Sequence, residues 1–397
     1  MYPPSFRATV VALAAGQLIC WAALYYTFSS FVLPMQTALG WSKPQIMGAF
    51  TLGLAVWGAA TYAVGAAIDA GRGRAVMTGG AALAGCGFAV WSRIDSLPML
   101  YAAWAMLGAS MAMTLYEPAF NVLTRRFPTR YVHGITALTL VGGFASTLAF
   151  PAATWLIAAH DWRVALLSIG AALLLFVAPL HAWALRGTPR IVVAAATPDA
   201  AADATLHEAL RERSFWLLTV TFTLYSFAAA AMWAHMMPAF IAKGRTEAQA
   251  LAVIVWFGPA QVAGRLGYVA FGRWVSARRL GLIVLGGLPV SLVIFALADQ
   301  TVALLVFALL FGVANGLVTI VRGSLVPAYF GRRHVGRISG AMTGISLFAR
   351  ASAPLLTAWL LLVLPGYREL LLVLAGVGIG SVVAFALARK PVLSSAS

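Results

Sequence analysis

The chain is written twice. The segment 127–136, FPTRYVHGIT, returns at 330–339 as FGRRHVGRIS, and a proline stands at the same spacing beyond each copy, at Pro151 and Pro354. Pro34 and Pro238 close matching apolar runs, and 50–65 matches 257–272. An offset of about 205 residues makes two halves of similar length on one plan, so whatever fold one half takes must be available to the other.

Both halves are apolar. Of 397 residues 62% are hydrophobic and 10% charged, with mean hydropathy +0.90. No water-soluble domain can hide that much apolar surface, so lipid is the solvent for much of the chain. A net charge of +16 would suggest nucleic acid in a soluble protein. Here the basic residues lie between apolar runs and read as topology signals, so no nucleic-acid partner is expected. Cys20 and Cys86 are too few and too isolated for a disulfide framework or a metal site, and no metal or cofactor is expected. The opening MYPPSFR leads into a run longer than a signal-peptide core and reads as a retained first helix.

Twelve runs are long enough to cross a bilayer core of roughly 30 Å. They fall at 8–35, 44–68, 75–93, 98–121, 134–158 and 163–185, then 215–240, 248–271, 280–298, 301–326, 338–363 and 368–388. Runs this long exclude barrel strands and require helices. The expected fold class is all-α integral membrane, twelve transmembrane helices as two six-helix bundles related by pseudo-two-fold symmetry. The bundles occupy 1–190 and 214–397. The cytoplasmic linker 191–213 between them contains Pro198, follows Pro189, and ends in a short charged helix, ATLHEALRER. With the N-terminus inside, eighteen basic residues fall on the inner side and six on the outer. That asymmetry places both termini in the cytoplasm; the expected location is a bacterial inner membrane.

Twelve helices as six plus six with a long central loop resemble the major facilitator superfamily of secondary transporters, over nearly the whole chain. The loop after the second span reads Gly65-Ala-Ala-Ile-Asp69-Ala-Gly71-Arg72-Gly-Arg74 and is similar to that superfamily's G-x-x-x-D-x-x-G-R signature, one residue short between Asp69 and Gly71. The resemblance implies that the acidic residue caps a neighbouring helix end in one transport state, with Asp69 and Arg72 as gating residues. The stretch from Arg125 to Arg163 resembles the monocarboxylate-transporter and oxalate/formate-antiporter branch: Gly134, Ala137, Gly142 and Gly143 on one helix, then Asp161-Trp162-Arg163 opening the next.

Four ionisable residues fall well inside spans: Glu117, Arg265, Arg322 and Arg350. Each costs about 2.5–3.5 kcal/mol near a bilayer centre and needs a partner, a wet cavity or a route to the surface. At 1.5 Å per residue Arg350 lies roughly 20 Å from the helix start near Arg337, too deep to snorkel easily. Three positive charges against one negative favour an anionic substrate, and the planar fork of arginine suits a carboxylate. In the resembled family an Arg on helix 8 binds the carboxylate and an Asp one turn earlier serves proton coupling. Here Gln261-Val-Ala-Gly-Arg265 keeps the Arg and puts Gln261 in place of the Asp. The oxalate/formate type carries basic residues on helices 8 and 11, which Arg265 and Arg350 resemble in position. The Lys that vertebrate monocarboxylate carriers place on helix 1 has no counterpart in Phe28-Ser-Ser-Phe31. Tyr25, Tyr26 and His235 are further candidate cavity residues.

The expected activity is secondary transport of a small organic anion, a monocarboxylate or related carboxylate, between the halves by alternating access. A coupled proton or an exchanged anion is a candidate further partner, with symport, antiport and uniport all open, in a monomer surrounded by lipid. Import or export of a larger neutral or anionic compound such as a drug or vitamin stays open. An intramembrane enzyme rests only on Gly344-Ile-Ser346, and no histidine stands on helices 8 to 12 to serve as base. A shift of 205 superposes Ser110, Thr114 and Glu117 on Asn315, Thr319 and Arg322, each trio at i, i+4, i+7. That spacing predicts one polar face on each helix, with Glu117 and Arg322 pairing as a gate.

Overall fold

The computed structural model describes residues 4–187 and 203–391. Pro189, Pro198 and most of the expected linker lie outside the described residues. The described chain is helical, as lipid demands of a backbone that finds no water for its N–H and C=O groups. Ten stretches are long and apolar enough to cross a membrane. One of them, Lys43–Trp91, reverses at Gly71, whose φ of +82° only glycine adopts without strain, and so holds two helices. A further helix, Val335–Leu360, is made less apolar by its polar residues and Arg350, and completes twelve.

The helices are α1 Phe6–Leu39, α2 Lys43–Ala67, α3 Gly73–Trp91, α4 Leu97–Arg126, α5 Tyr131–Ala159 and α6 Trp162–Ala184. They continue with α7 Arg213–Ala242, α8 Glu247–Phe271, α9 Ala277–Leu297, α10 Thr301–Phe330, α11 Val335–Leu360 and α12 Tyr367–Leu387. The short charged helix before α7 is Leu206–Arg211, opened by a capping box in which Thr205 and Glu208 satisfy each other's backbone N–H. Leu362 (83% exposed) and Leu175 (74%) are among many large apolar side chains on the outer surface, which only lipid makes tolerable. The protein is an integral membrane protein.

By contacts the chain divides into two compact units, Met1–Asp203 with Gly331–Gly344, and Ala204–Phe330 with Ile345–Ser397. The repeat in the sequence is a repeat of packing inside them. In the first unit α2 and α3 both pack on α4, and α3 on α6. In the second, α8 and α9 both pack on α10, and α9 on α12. Each unit also stacks its own aromatic rings. Trp91, Trp104 and Phe28 meet edge to face in the first, with centroids 4.7 and 5.0 Å apart. Phe295 stacks on Phe307 at 4.4 Å in the second. Such ring pairs contribute about 0.5–1.5 kcal/mol each beyond their buried area.

Candidate functional site

Asp69 sits in the π-turn Ile68–Arg72 that ends α2, and it faces the first turn of α11 within the first unit. One carboxylate oxygen accepts the Gly336 N–H at 3.0 Å and the other the Arg337 N–H at 2.8 Å. These are donors that a helix start leaves without intrahelical partners, and a negative group there meets the positive end of the helix dipole. Approach is this close because Gly336 has no side chain: a Cβ there would lie 2.3 Å from the Gly65 carbonyl oxygen. Arg125, near the end of α4, donates to the Asp69 carboxylate at 3.2 Å, to the Asp69 carbonyl at 2.8 Å and to the Arg333 carbonyl at 2.5 Å. Arg72 is exposed.

A second carboxylate works on the same loop. Asp203 accepts the backbone N–H groups of Arg332 at 2.6 Å and Arg333 at 3.1 Å. The Arg332 guanidinium in turn donates to the Pro128 carbonyl at 3.0 Å. Between the two carboxylates lies His334. Burial pushes its imidazole below its ordinary value, against the upward pull of Asp69 and Asp203. Deeper in the unit Ser339 donates to Asn121 at 3.1 Å and Thr61 donates to the Gly340 carbonyl at 3.0 Å. The result is a two-carboxylate clamp on residues 332–337. Asp69 was visible in the sequence through its motif, whereas Asp203, two residues before the N-cap Thr205, was not.

The expected polar face of α4 does not form. The helix breaks at Leu115 (ψ −159°), so Ser110 and Thr114 stand on one segment and Glu117 on the next. Pro118 explains the break: lacking an N–H, it cannot pair with the Thr114 carbonyl one turn earlier. The buried Gln17 side chain on α1 fills that gap, donating to the Thr114 carbonyl at 2.6 Å and to that of Leu115 at 3.3 Å. Ser110 points into its own bundle and donates to the Gly80 carbonyl at 2.9 Å. A lone glutamine in an apolar run was the available signal, because an amide in lipid needs partners.

In the second unit Arg265 is 3% exposed, and its Nε–H donates to the Gly316 carbonyl at 3.1 Å. Thr319 donates to that same carbonyl at 3.1 Å. Gln261, one turn before Arg265, backs onto Gly316. Arg350 is half-buried on α11. Arg322 lies over the Phe222 ring, 5.7 Å from its centroid, and is half-buried, as Glu117 is in the first unit. His235 shares a hydrogen bond with Thr357 at 2.9 Å and leans on Tyr367, an arrangement that fixes the ring against α11 and α12. Tyr25 and Tyr26 lie in the first unit and pack edge to face. Among the described residues no cluster of His, Cys, Asp and Glu could hold a metal.

The family model described as Major Facilitator Superfamily matches residues 13–302. Monocarboxylate transporter 11 of Mus musculus is 30% identical over 243 residues, 60% of this chain and 53% of that protein. The chain thus matches about half the length of that curated relative. Among solved structures, the human organic anion transporter TETRAN aligns with TM-score 0.69 at 17% identity, covering 96% of this chain and all of that one. The E. coli fucose:proton symporter aligns with TM-score 0.72 at 13% identity, covering 96% of this chain and 98% of that one.

Proposed function

We propose that this chain, which belongs to the major facilitator superfamily and is a secondary transporter, carries a small organic carboxylate with Arg265 and Arg350 as its charge partners. The observation that carries this reading is Arg265. A guanidinium 3% exposed inside an apolar bundle is costly, and its Nε–H bond to Gly316 holds the fork in a set orientation. A planar fork held in this way suits the two oxygens of a carboxylate better than a point charge does. The name of the mouse relative points to the same substrate class. Arg265→Lys keeps the charge and loses the fork. Carboxylates that raise the thermal midpoint of the wild-type protein should therefore leave the folded variant's midpoint unmoved. An equal shift in both proteins would sink the reading.

The clamp is the gating element in this account. Release of Asp69 from the α11 start would free that helix end in one half of the cycle, with substrate or a proton biasing the two states. Gln261 stands beside Arg265 as a neutral neighbour, and His235 and Arg72 play supporting parts. Both termini face the cytoplasm of a bacterial inner membrane. For Glu117 and Arg322, which belong to different units, the proposed pairing rests on the repeat offset alone. Each single change to Gln should impair transport, and the swap Glu117→Arg with Arg322→Glu should restore part of it. Additive defects with no rescue would remove that pair.

A further inference from the structure

Between α8 and α10 the second unit holds a cavity of about 240 Å³ that neither the clamp nor Arg265 uses. Its origin is a break in α8, which runs as Glu247–Ile254 and then as Phe257–Phe271. Pro259 has no N–H to give the Val255 carbonyl one turn earlier, which accounts for the interruption at Val255 and Trp256. The second segment lies tight on α10. A Cβ on Gly312 would come within 2.6 Å of the Ala260 side chain, and one on Gly316 within 2.9 Å of the Gln261 Cα. Alongside the first segment the two helices leave a space, walled by Val253, Trp256, Leu304 and Leu305.

The surroundings of that space are bilayer. Leu251 and Val255 on α8 and Val302 and Val306 on α10 are exposed apolar side chains on the two helices that border it. Arg245 and Trp256, at its two ends, are roughly 16 Å apart at 1.5 Å per residue. That is the depth of one leaflet of a core about 30 Å thick.

The polar end offers donors. Arg245 is half-buried and gives an N–H to the Asp299 carbonyl. The Asp299 carboxylate is taken by Lys243 at 3.0 Å, and among the described residues no carboxylate lies within ion-pair distance of Arg245. Gln249 spends its amide oxygen on the Thr246 N–H at 3.1 Å, which leaves its NH2 to donate elsewhere. A guanidinium and an amide NH2 at the end of an apolar slot match a phosphate carried on a hydrocarbon chain. Lys243, Arg245 and Arg368 all act on Asp299, while Glu247 and Glu369 follow two of these cations closely in the chain. That balance suits a headgroup carrying both signs better than one that is only negative.

We propose that this cavity seats a phospholipid of the outer leaflet with a primary-ammonium headgroup. Its phosphate lies on Arg245 and Gln249, its ammonium near Glu247, and one acyl chain between Trp256 and Leu304. The seat belongs to the bilayer, so it holds whatever substrate the chain carries.

The test is native mass spectrometry of the delipidated full-length protein in detergent, titrated with phosphatidylethanolamine. Glycerophosphoethanolamine, the same headgroup without chains, is the competitor, and phosphatidylglycerol replaces the ammonium end. Arg245→Gln removes the phosphate partner, and Ala252→Trp fills the slot from an exposed position on α8 while keeping Arg245. The wild type should retain one phosphatidylethanolamine about tenfold more tightly than either variant, the effect of losing a charge-assisted contact or the space for a chain. Phosphatidylglycerol should bind more weakly, and glycerophosphoethanolamine should not displace the lipid. Where Arg245→Gln does not fold, Ala252→Trp decides. Equal retention by the wild type and the folded variants would overturn the proposal. Displacement by the chainless headgroup would also overturn it, since the site would then be one for soluble phosphates.

Discussion

Gln17 shows how one side chain can decide whether a helix break is tolerable in lipid. Pro118 removes a donor, the Thr114 carbonyl loses its partner, and the fully buried Gln17 amide supplies a replacement at 2.6 Å. Gln17→Leu preserves volume and deletes the donor, leaving a buried acceptor unpaired at a cost of about 1–3 kcal/mol. The variant should express, insert and unfold at a lower temperature than the wild type in the same detergent. An unchanged midpoint would mean that water or another side chain already serves that carbonyl. Not every polar contact carries comparable weight. Lys243 and Asp299 form an ion pair at 3.0 Å, and the ammonium holds the carboxyl below its usual range, yet Asp299 is so exposed that solvent screens the pair.

At the scale of elements, the start of α11 is held by side chains from several parts of the first unit. It receives the Asp69 carboxylate on two N–H groups, the Asp203 carboxylate on the loop before it, and Arg125 on the Arg333 carbonyl. If Asp203 holds that loop, Asp203→Ala should raise amide exchange at Arg332 and Arg333 by about tenfold, the equivalent of one lost hydrogen bond of about 1.4 kcal/mol. Asp203→Asn, which keeps an acceptor oxygen, should raise it less. Exchange unchanged in the alanine variant would show that the loop is held without Asp203. The helices themselves were legible in the sequence because apolar length is a one-dimensional signal, and the twelve expected spans agree with the observed helices to within a few residues at most ends. The π-turn in α1 and the break in α4 were not legible. The break in α4 depends on which distant group satisfies a carbonyl, and Gln17 lies 97 residues from Thr114. Asp69 was legible only through a motif, and Asp203 not at all, because its partners are main-chain N–H groups that leave no trace in residue identity.

At the scale of the whole molecule, the duplication explains why one packing plan appears in both units and why the two nevertheless differ in chemistry. The first unit keeps the aspartate clamp. The second keeps a buried arginine on α8 and a half-buried one on α11. The central claim is that anionic substrate is held by Arg265 and Arg350. The direct measurement is counterflow of radiolabelled carboxylates, benzoate and lactate among them, in proteoliposomes of the wild type and of Arg265→Ala and Arg350→Ala. The wild type should accumulate the label, and each variant should lose at least about tenfold in kcat/KM, as follows when a charge-assisted contact worth about 1.5–3 kcal/mol is removed. Wild-type kinetics in both arginine variants would contradict it.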